Sequence, residues 1–418
     1  MFKMPNSRAS LMATMLAIPF AGIAALTLPL DAIAQAQTGG WHKETADRVK
    51  AAQEAGNKGN FSEAIRVLKE AKVKGPLPLS PQEEQAVNEY LIYAASSAKD
   101  YKLVLETVDE RLATGRVTGA DLVRKLRLKA TTLYATGDYR GAVAAFNKLI
   151  ATQGSATADD LIQLGNAQLV LRDFRAAIPT LEKAVVAAQK AGKPAATVGK
   201  LLEGLNSSYN ETKNDAKRLE TLHRLMAVTP KASVFSQLAS VYEVKSKKDP
   251  VVMINIYRLG ASRGLLSSQH YAKYAELALD LASPGEAVAM IEKGMAGGAI
   301  KKDDRNSRLL ADAKSQVDRL KGSLAQLERE TLATKNGEAE AKLAIAYFTL
   351  KNYSKAVEAG KRGIDEGKLR RADDLNMLLG IALTETKKPA EAKKAFSAAV
   401  AANETIRGVA DMWSSIGA

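Results

Sequence analysis

The stretch Gly137-Asp138-Tyr139-Arg140-Gly141-Ala142 decides the fold, because close variants of it occur five more times along the chain. Each variant carries an alanine after a short polar turn, and the other five lie at residues 59–64, 172–177, 283–287, 351–356 and 387–392. The alanines at 142 and 177 are 35 residues apart, those at 287 and 356 are 69 apart, and those at 356 and 392 are 36 apart. A period near ~34 residues is typical of a solenoid built from paired helices.

The residues around each turn explain why a helix pair would form there. Leu161 and Leu164 are three positions apart and share one face of a helix, and Gly165 beside them leaves room for a second helix to approach. Ala177 and Ala184 would supply the small residues of the facing surface. The polar turn ends the first helix, and the aromatic residue that often follows it would cover the corner.

Extending this register predicts an all-α solenoid of about ten antiparallel helix pairs. The residue at the alanine position identifies each unit: Ala64, Val104, Ala142, Ala177, Leu219, Met253, Ala287, Ser323, Ala356 and Ala392. The units at 104, 219, 253 and 323 match the pattern poorly and are inferred from spacing. Residues 43–192 and 193–402 are interpreted as N-terminal and C-terminal repeats, and residues 403–418 as an amphipathic helix that caps the last repeat.

One weak unit, Asp304 to Thr334, allows two interpretations. Its apolar residues recur at intervals of three and four, which suits either a degenerate helix pair or one long helix with a coiled-coil seam. They are Leu310, Ala313, Val317, Leu320, Leu324 and Leu327. Because the length of this segment matches one repeat, we predict a helix pair.

The first 36 residues are predicted to be a signal peptide. Lys3 and Arg8 precede an almost continuously apolar stretch from Leu11 to Leu30, and small-x-small cleavage sites end at Ala34 and Ala36. An uncleaved membrane anchor is the alternative, because about 20 apolar residues could span a bilayer. The chain has no cysteine, which excludes a disulfide framework and thiolate metal sites. We therefore expect a soluble exported protein in the periplasm of a Gram-negative bacterium.

Charge and motifs predict neither an enzyme nor a nucleic-acid-binding protein. The net charge is +14, but lysine and arginine are interleaved with glutamate and aspartate along the predicted helices, which is typical of a solvated surface. The three histidines, His42, His223 and His270, are far apart in sequence, and no metal-binding, phosphate-loop or nucleophile motif occurs. No cofactor is predicted, and no second apolar stretch reaches the length of a membrane span.

Residues 43–402 resemble the tetratricopeptide repeat family. The string from Leu161 to Gln168 fits the family's W-x2-L-G pattern with leucine in place of tryptophan. The resemblance implies a right-handed superhelix whose inner, concave wall comes from the first helix of each pair.

A narrower resemblance covers about 160 residues of the C-terminal half. The strings at residues 256–261, 291–295 and 378–383 resemble proteobacterial tetratricopeptide proteins that are encoded with the TonB, ExbB and ExbD energy-transduction proteins. The chain departs from that subgroup at Lys314 and Gly322, where apolar or helix-favouring residues are usual.

In tetratricopeptide proteins a bound peptide usually lies along the concave wall. Projecting the register places these candidate partner-binding residues on it: Arg124, Arg127, Tyr134, Asn166, Glu276, Asp280, Met377 and Ile381. Arg124, Arg127 and Asn166 resemble part of the carboxylate clamp with which some family members hold C-terminal peptides. The clamp is incomplete, because Thr131 stands where the pattern has asparagine.

The sequence thus predicts an exported protein-binding scaffold. The resemblance in the C-terminal half implies an accessory of a TonB-ExbB-ExbD complex, with those proteins as partners. The alternative is a general cell-envelope scaffold in outer-membrane assembly or polysaccharide export. Neither the partner nor the oligomeric state follows from the sequence.

Overall fold

The computed structural model describes residues 41–74 and 78–415. These residues form twenty α-helices and one short 3-10 helix, without a strand among them. No helix in these ranges is long and apolar enough to cross a bilayer. The predicted signal peptide, both of its cleavage sites and Ile416 lie outside the described residues. The predicted all-α architecture of tetratricopeptide-type helix pairs is confirmed.

Contacts between Cα atoms divide the chain into two compact units, one that ends at Lys213 and one that begins at Asn214. The predicted boundary at 192/193 falls one helix earlier. The N-terminal unit holds nine helices: α1 Lys43–Asn57, α2 Phe61–Lys74, α3 Pro81–Ser97, α4 Tyr101–Ala113, α5 Gly119–Ala135, α6 Tyr139–Gln153, α7 Ala158–Val170, α8 Phe174–Lys190 and α9 Ala195–Glu211.

The C-terminal unit holds the other eleven. They are α10 Asp215–Val228, α11 Ala232–Lys245, α12 Pro250–Ser262, α13 Ser268–Asp280, α14 Pro284–Ala296, α15 Asp304–Thr334, α16 Gly337–Thr349, α17 Tyr353–Glu366, α18 Ala372–Glu385, α19 Pro389–Ala402 and α20 Arg407–Ser414. The 3-10 helix Glu404–Ile406 precedes α20.

The repeated turn works as a helix cap. Asp100, Asp138 and Asp173 each accept a hydrogen bond from the backbone N–H three residues later, at 3.1, 2.9 and 3.1 Å. Such caps satisfy a backbone donor that the first turn of a helix leaves open. The alanine that ends each turn phrase is at most 3% exposed. A Cβ added to Gly165 would lie 2.6 Å from Leu181, so the predicted close approach of paired helices is confirmed.

Several of these turns place a cation in the left-handed backbone region. The values of φ are 59° at Lys99, 59° at Arg172 and 56° at Lys213. A residue with a Cβ loses about 1 kcal/mol there, whereas a cation at a helix C-terminus gains about 0.3–1 kcal/mol from the helix dipole. Because the two effects nearly cancel, the stability of the turn does not explain these cations.

The segment Asp304 to Thr334 is one continuous helix, α15, so the predicted helix pair is wrong. Gly322 is the only residue in its middle that could end a helix, and no capping Asp or Asn follows it directly. Without turn chemistry the apolar seam simply continues as helix. The described residues therefore form nine successions of first and second helix rather than ten.

Two helices of the C-terminal unit are buried on all sides. Residues 251–260 of α12 and residues 375–383 of α18 are all buried. The predicted C-terminal helix α20 buries Trp413 and contacts the preceding α19, and it also contacts α10 and α12 at the start of the unit. It therefore joins the two ends of the unit as well as covering the last pair.

Candidate functional site

The first helices of the N-terminal unit lie side by side and run in the same direction. Arg127 of α5 contacts Asp160 of α7, and seven residues later Tyr134 lies against Asn166 of the same helix. The two contacts occur in the same order along both helices, so α5 and α7 are parallel. Glu84 of α3 pairs with Arg116, and Glu89 of α3 pairs with Lys125. These contacts also follow the same order along the chain, so α3 is parallel to α5.

The other first helices follow the same direction. His42, just before α1, bonds to Glu83 of α3, and Gln53, within α1, bonds to Tyr90 of α3. The order of the contacts is again the same along both helices. Asp159 of α7 pairs with Lys193 just before α9, and the end of α7 packs near Gly204 of α9. All five first helices are therefore parallel, and they carry a row of polar contacts between neighbours.

Arg127 is the centre of this row. Its guanidinium donates to both carboxylate oxygens of Asp160, each at 2.9 Å, and to Gln153 at 2.9 Å. The hydrogen bonds to Asp160 raise the pKa of Arg127. Asp160 is only 2% exposed and also forms the capping box of α7 with Thr157. Arg127 therefore holds α5 to the start of α7, and its charge is already balanced within the chain.

Lys125 is a buried lysine that the sequence did not single out. Its side chain is 3% exposed, and its Nζ lies 2.6 Å from Glu89 and 3.8 Å from Asp121. The partner Glu89 is on the preceding first helix, 36 residues away. Opposite charges one repeat apart are the sequence signal that could have identified this pair.

The remaining candidates of the N-terminal unit differ in access. The Arg124 side chain is 69% exposed and contacts Asp121 at 3.0 Å, so most of it faces solvent. Tyr134 is half-buried against Tyr139, and burial raises the pKa of its phenol. Asn166 is 7% exposed and lies beside the phenol of Tyr134.

In the C-terminal unit the predicted wall is only partly present. Glu276 and Asp280 of α13 are exposed, as expected for a surface that meets a partner. Met377 and Ile381 of α18 are 0% and 4% exposed. Their predicted place on an accessible wall is wrong, because the unit fills the inner side of α18 with its own helices.

The interior of the C-terminal unit contains a charged cluster that sequence reasoning also missed. The Arg258 and Glu286 side chains are 6% and 13% exposed, and they form a bidentate pair at 3.0 and 2.8 Å. Tyr274 and Ser283 donate to the same carboxylate at 2.7 and 2.6 Å. Burial raises the pKa of Glu286, but the charge of Arg258 and the hydrogen bonds from Arg258, Ser283 and Tyr274 together outweigh it, so that pKa is lowered.

Each histidine has a neighbour that explains its position. His42 contacts Glu83, and His270 accepts from the backbone N–H of Ser267 at 3.1 Å at the start of α13. His223 lies 2.9 Å from the hydroxyl of Tyr242. Among the described residues there is no group of three or more side chains placed to hold a metal ion.

We expect the stability of the C-terminal unit to fall as the pH drops from about 6.5 to about 4. Burial, with a smaller contribution from Lys245, lowers the pKa of His223 to about 4, while Glu220 opposes the shift. Between these pH values His223 is protonated in the unfolded chain but not in the folded chain. Lowering the pH therefore favours unfolding by about 2–3 kcal/mol. Urea denaturation at a series of pH values measures this.

The variant His223→Gln is the control for this pH dependence. It keeps a polar group beside Tyr242 but has no titrating ring, so the slope between pH 4 and 6.5 should largely disappear. An unchanged slope would assign the effect to other groups.

The sequence matches no protein-family model and no curated protein. Among solved structures it is similar to a tetratricopeptide repeat protein from Parabacteroides merdae ATCC 43184, with 14% identity over 65% of this chain and 100% of that chain, at a TM-score of 0.34. The Naa15/Naa10 complex bound to HypK-THB gives 14% identity over 85% and 58% of the two chains and a TM-score of 0.39. The TPR2AB-domain:pHSP90 complex of yeast Sti1 gives 12% identity over 71% and 98%, and a TM-score of 0.25.

Proposed function

We propose that this chain is a protein-binding scaffold and that the first helices of its N-terminal unit recognise the partner. The observation that carries the proposal is the row of polar side chains on α5 and α7. Arg127 is bound to Asp160, Asn166 lies beside Tyr134, and Arg124 projects into solvent. A surface that is already ordered binds a peptide segment at a lower entropic cost.

We further propose that the protein is exported to the periplasm and serves a TonB-ExbB-ExbD type complex. The support is the apolar N-terminal stretch with its cleavage sites and the resemblance in the C-terminal half. The strings at 256–261 and 378–383 that carry this resemblance lie in the buried helices α12 and α18. The resemblance therefore concerns the packing of the unit, and the residues that would contact a TonB-system protein lie elsewhere.

A general envelope scaffold is the second candidate. Glu276 and Asp280 are exposed on α13 of the C-terminal unit, while Arg124 is exposed on the N-terminal unit. Exposed candidate residues on both units favour a protein that holds two different partners, as a scaffold for assembly or export would.

Affinity capture of the full chain from envelope extracts of its own host tests these proposals. Capture of TonB, ExbB or ExbD supports the energy-transduction role, and capture of assembly or polysaccharide-export proteins without them supports the general scaffold. An N-terminus at residue 35 or 37 in a periplasmic fraction supports export. A protein that keeps residues 1–36 and stays in the membrane fraction would contradict cleavage.

The binding surface is tested with Arg124→Glu, for which we expect about tenfold weaker capture. Arg127 is left intact, because removing it would strand the buried Asp160 and confuse binding with folding. Lys148→Glu, an equal charge change at an exposed position of the second helix α6, is the control and should bind like the unchanged protein. Equal binding by both variants would refute the placement of the site.

A further inference from the structure

The parallel first helices bring five turns of the N-terminal unit to one edge. We call this the turn edge, and it consists of residues 58–60, 98–100, 136–138, 171–173 and 212–213, with the start of each second helix that follows within the unit. The fourth and fifth turns are in contact, because Arg172 lies 3.6 Å from Glu211 at the end of α9. The turn edge is therefore a row of turns at one edge of a single unit.

The turn edge is rich in exposed cations. Each turn or the helix start after it contributes at least one, and all of them are exposed: Lys58, Lys99, Lys102, Arg140, Arg172, Arg175 and Lys213. Only two of them form an ion pair within 4.0 Å among the described residues, Lys102 with Glu106 at 3.9 Å and Arg172 with Glu211 at 3.6 Å. The aspartates at 100, 138 and 173 direct their side chains to backbone N–H groups as helix caps. Capping leaves these aspartates charged, so together with Glu63 at the start of α2 they offset four of the seven cations, and the edge keeps a net positive charge.

Lys99, Arg172 and Lys213 occupy backbone positions that suit glycine better. The equivalent positions of two other turns are Gly59 and Gly137, with φ of 74° and 83°. A cation at such a position gives the fold no net gain, as the opposing effects of backbone strain and helix dipole show. These side chains instead place positive charge on the exposed surface of the turn edge.

We propose that the turn edge docks on an anionic lipid surface. Seven cations fall within the range of four to eight basic residues that is typical of clusters that bind anionic headgroups. Lipids diffuse sideways, so their phosphates can gather under cations spaced one helix pair apart, whereas a folded acidic protein would need a matching fixed spacing. Leu171, which is 37% exposed between these cations, adds a small apolar contact.

Single-stranded nucleic acid is the less favoured polyanion. Its binding sites combine cations with exposed aromatic faces on which bases stack. The aromatic residues at this edge, Phe61, Tyr101, Tyr139 and Phe174, are half-buried because they cover the helix corners.

Co-sedimentation of the full chain with vesicles tests the proposal. Vesicles of about one-third phosphatidylglycerol in phosphatidylcholine should bind the protein at about 50 mM salt and release most of it at about 500 mM. Pure phosphatidylcholine vesicles are the control for binding through the apolar N-terminal stretch, because such binding needs no anionic lipid and resists salt. Salt-resistant binding that is equal on both vesicles would overturn the proposal.

The decisive variant replaces Lys99, Arg172 and Lys213 by glycine. Glycine removes the charge and relieves the backbone, so this protein should unfold at the same or a higher temperature and yet bind the anionic vesicles about tenfold or more weakly, since one cation contributes about fivefold. The control replaces Lys69, Lys148 and Lys183, exposed on the second helices, by glutamine and removes the same charge. An equal loss of vesicle binding in both variants would show that only the net charge of the protein matters. Tighter binding of single-stranded DNA or an acidic peptide than of the vesicles would indicate a different partner. Either result refutes the lipid proposal.

Discussion

Replacing Glu286 by alanine is expected to lower the free energy of unfolding of the C-terminal unit by about 3–5 kcal/mol. The variant leaves the Arg258 guanidinium buried without its carboxylate, at a place where its side chain is only 6% exposed. It also removes the acceptor of the hydrogen bonds from Tyr274 and Ser283. Much of the loss is the cost of an uncompensated buried charge rather than the strength of the pair itself.

Chemical denaturation followed by circular dichroism measures this loss, and Glu391→Ala is the matched control. Glu391 pairs with Lys361 at 2.6 Å, but the two side chains are 44% and 50% exposed. Such exposed pairs contribute about 0–1 kcal/mol. If both variants lost the same stability, the burial of the Arg258 pair would have no energetic consequence and our account of the core would be wrong.

A double variant separates the two costs. Arg258→Met combined with Glu286→Leu removes both charges and keeps apolar volume, so it should recover a large part of the stability lost in Glu286→Ala. No recovery would show that the lost hydrogen bonds of Tyr274 and Ser283, or the loss of Arg258 beside the buried Asp374, outweigh the gain from removing the buried pair.

The turns of the fold could be predicted from the sequence because their chemistry is local. An Asp or Asn cap, an aromatic residue and an alanine within six positions give the end of one helix and the packing face of the next, as at Asp138 and Ala142. The same logic explains the error at α15. Its seam of apolar residues was compatible with a helix pair, but Gly322 is not followed by the Asp or Asn cap that starts the second helix at other turns.

The polar row on the first helices was accessible in principle and was missed. The pairs Glu89–Lys125, Arg127–Asp160 and Asp159–Lys193 join residues 36, 33 and 34 positions apart, close to one repeat. Comparing equivalent positions of consecutive repeats for opposite charge would have found them. A search within single motifs treats each of these residues as an ordinary surface charge.

The burial of Met377 and Ile381 could not be predicted from the register. The register states which side of a helix faces the inner wall, but it does not state whether that wall is open. In the C-terminal unit it is filled by other helices of the same unit, and α20 holds the unit closed. Closure of this kind depends on contacts between residues more than a hundred positions apart, as between Arg263 and Met412.

Replacing Trp413 by alanine tests that closure, and we expect a loss of about 3–5 kcal/mol in the stability of the C-terminal unit. Trp413 is 2% exposed, stacks on Phe396 with ring centroids 6.4 Å apart, and points its Nε1 at the carbonyl oxygen of Asn255, 3.5 Å away. Its removal leaves a cavity between α20, α19 and α12. Trp413→Phe keeps most of the apolar volume and should cost less than half as much.

The pH dependence of His223 distinguishes local repacking from release of α20. A Cβ at Gly408 of this helix would overlap the imidazole of His223, so α20 is part of what buries that ring. If Trp413→Ala frees α20, His223 becomes exposed, its pKa returns toward the usual value, and the loss of stability between pH 6.5 and 4 shrinks. A Trp413→Ala protein that is destabilised but keeps the full pH dependence would show that α20 stays in place without its tryptophan, and that the unit is closed by the helix backbone and Arg263 instead.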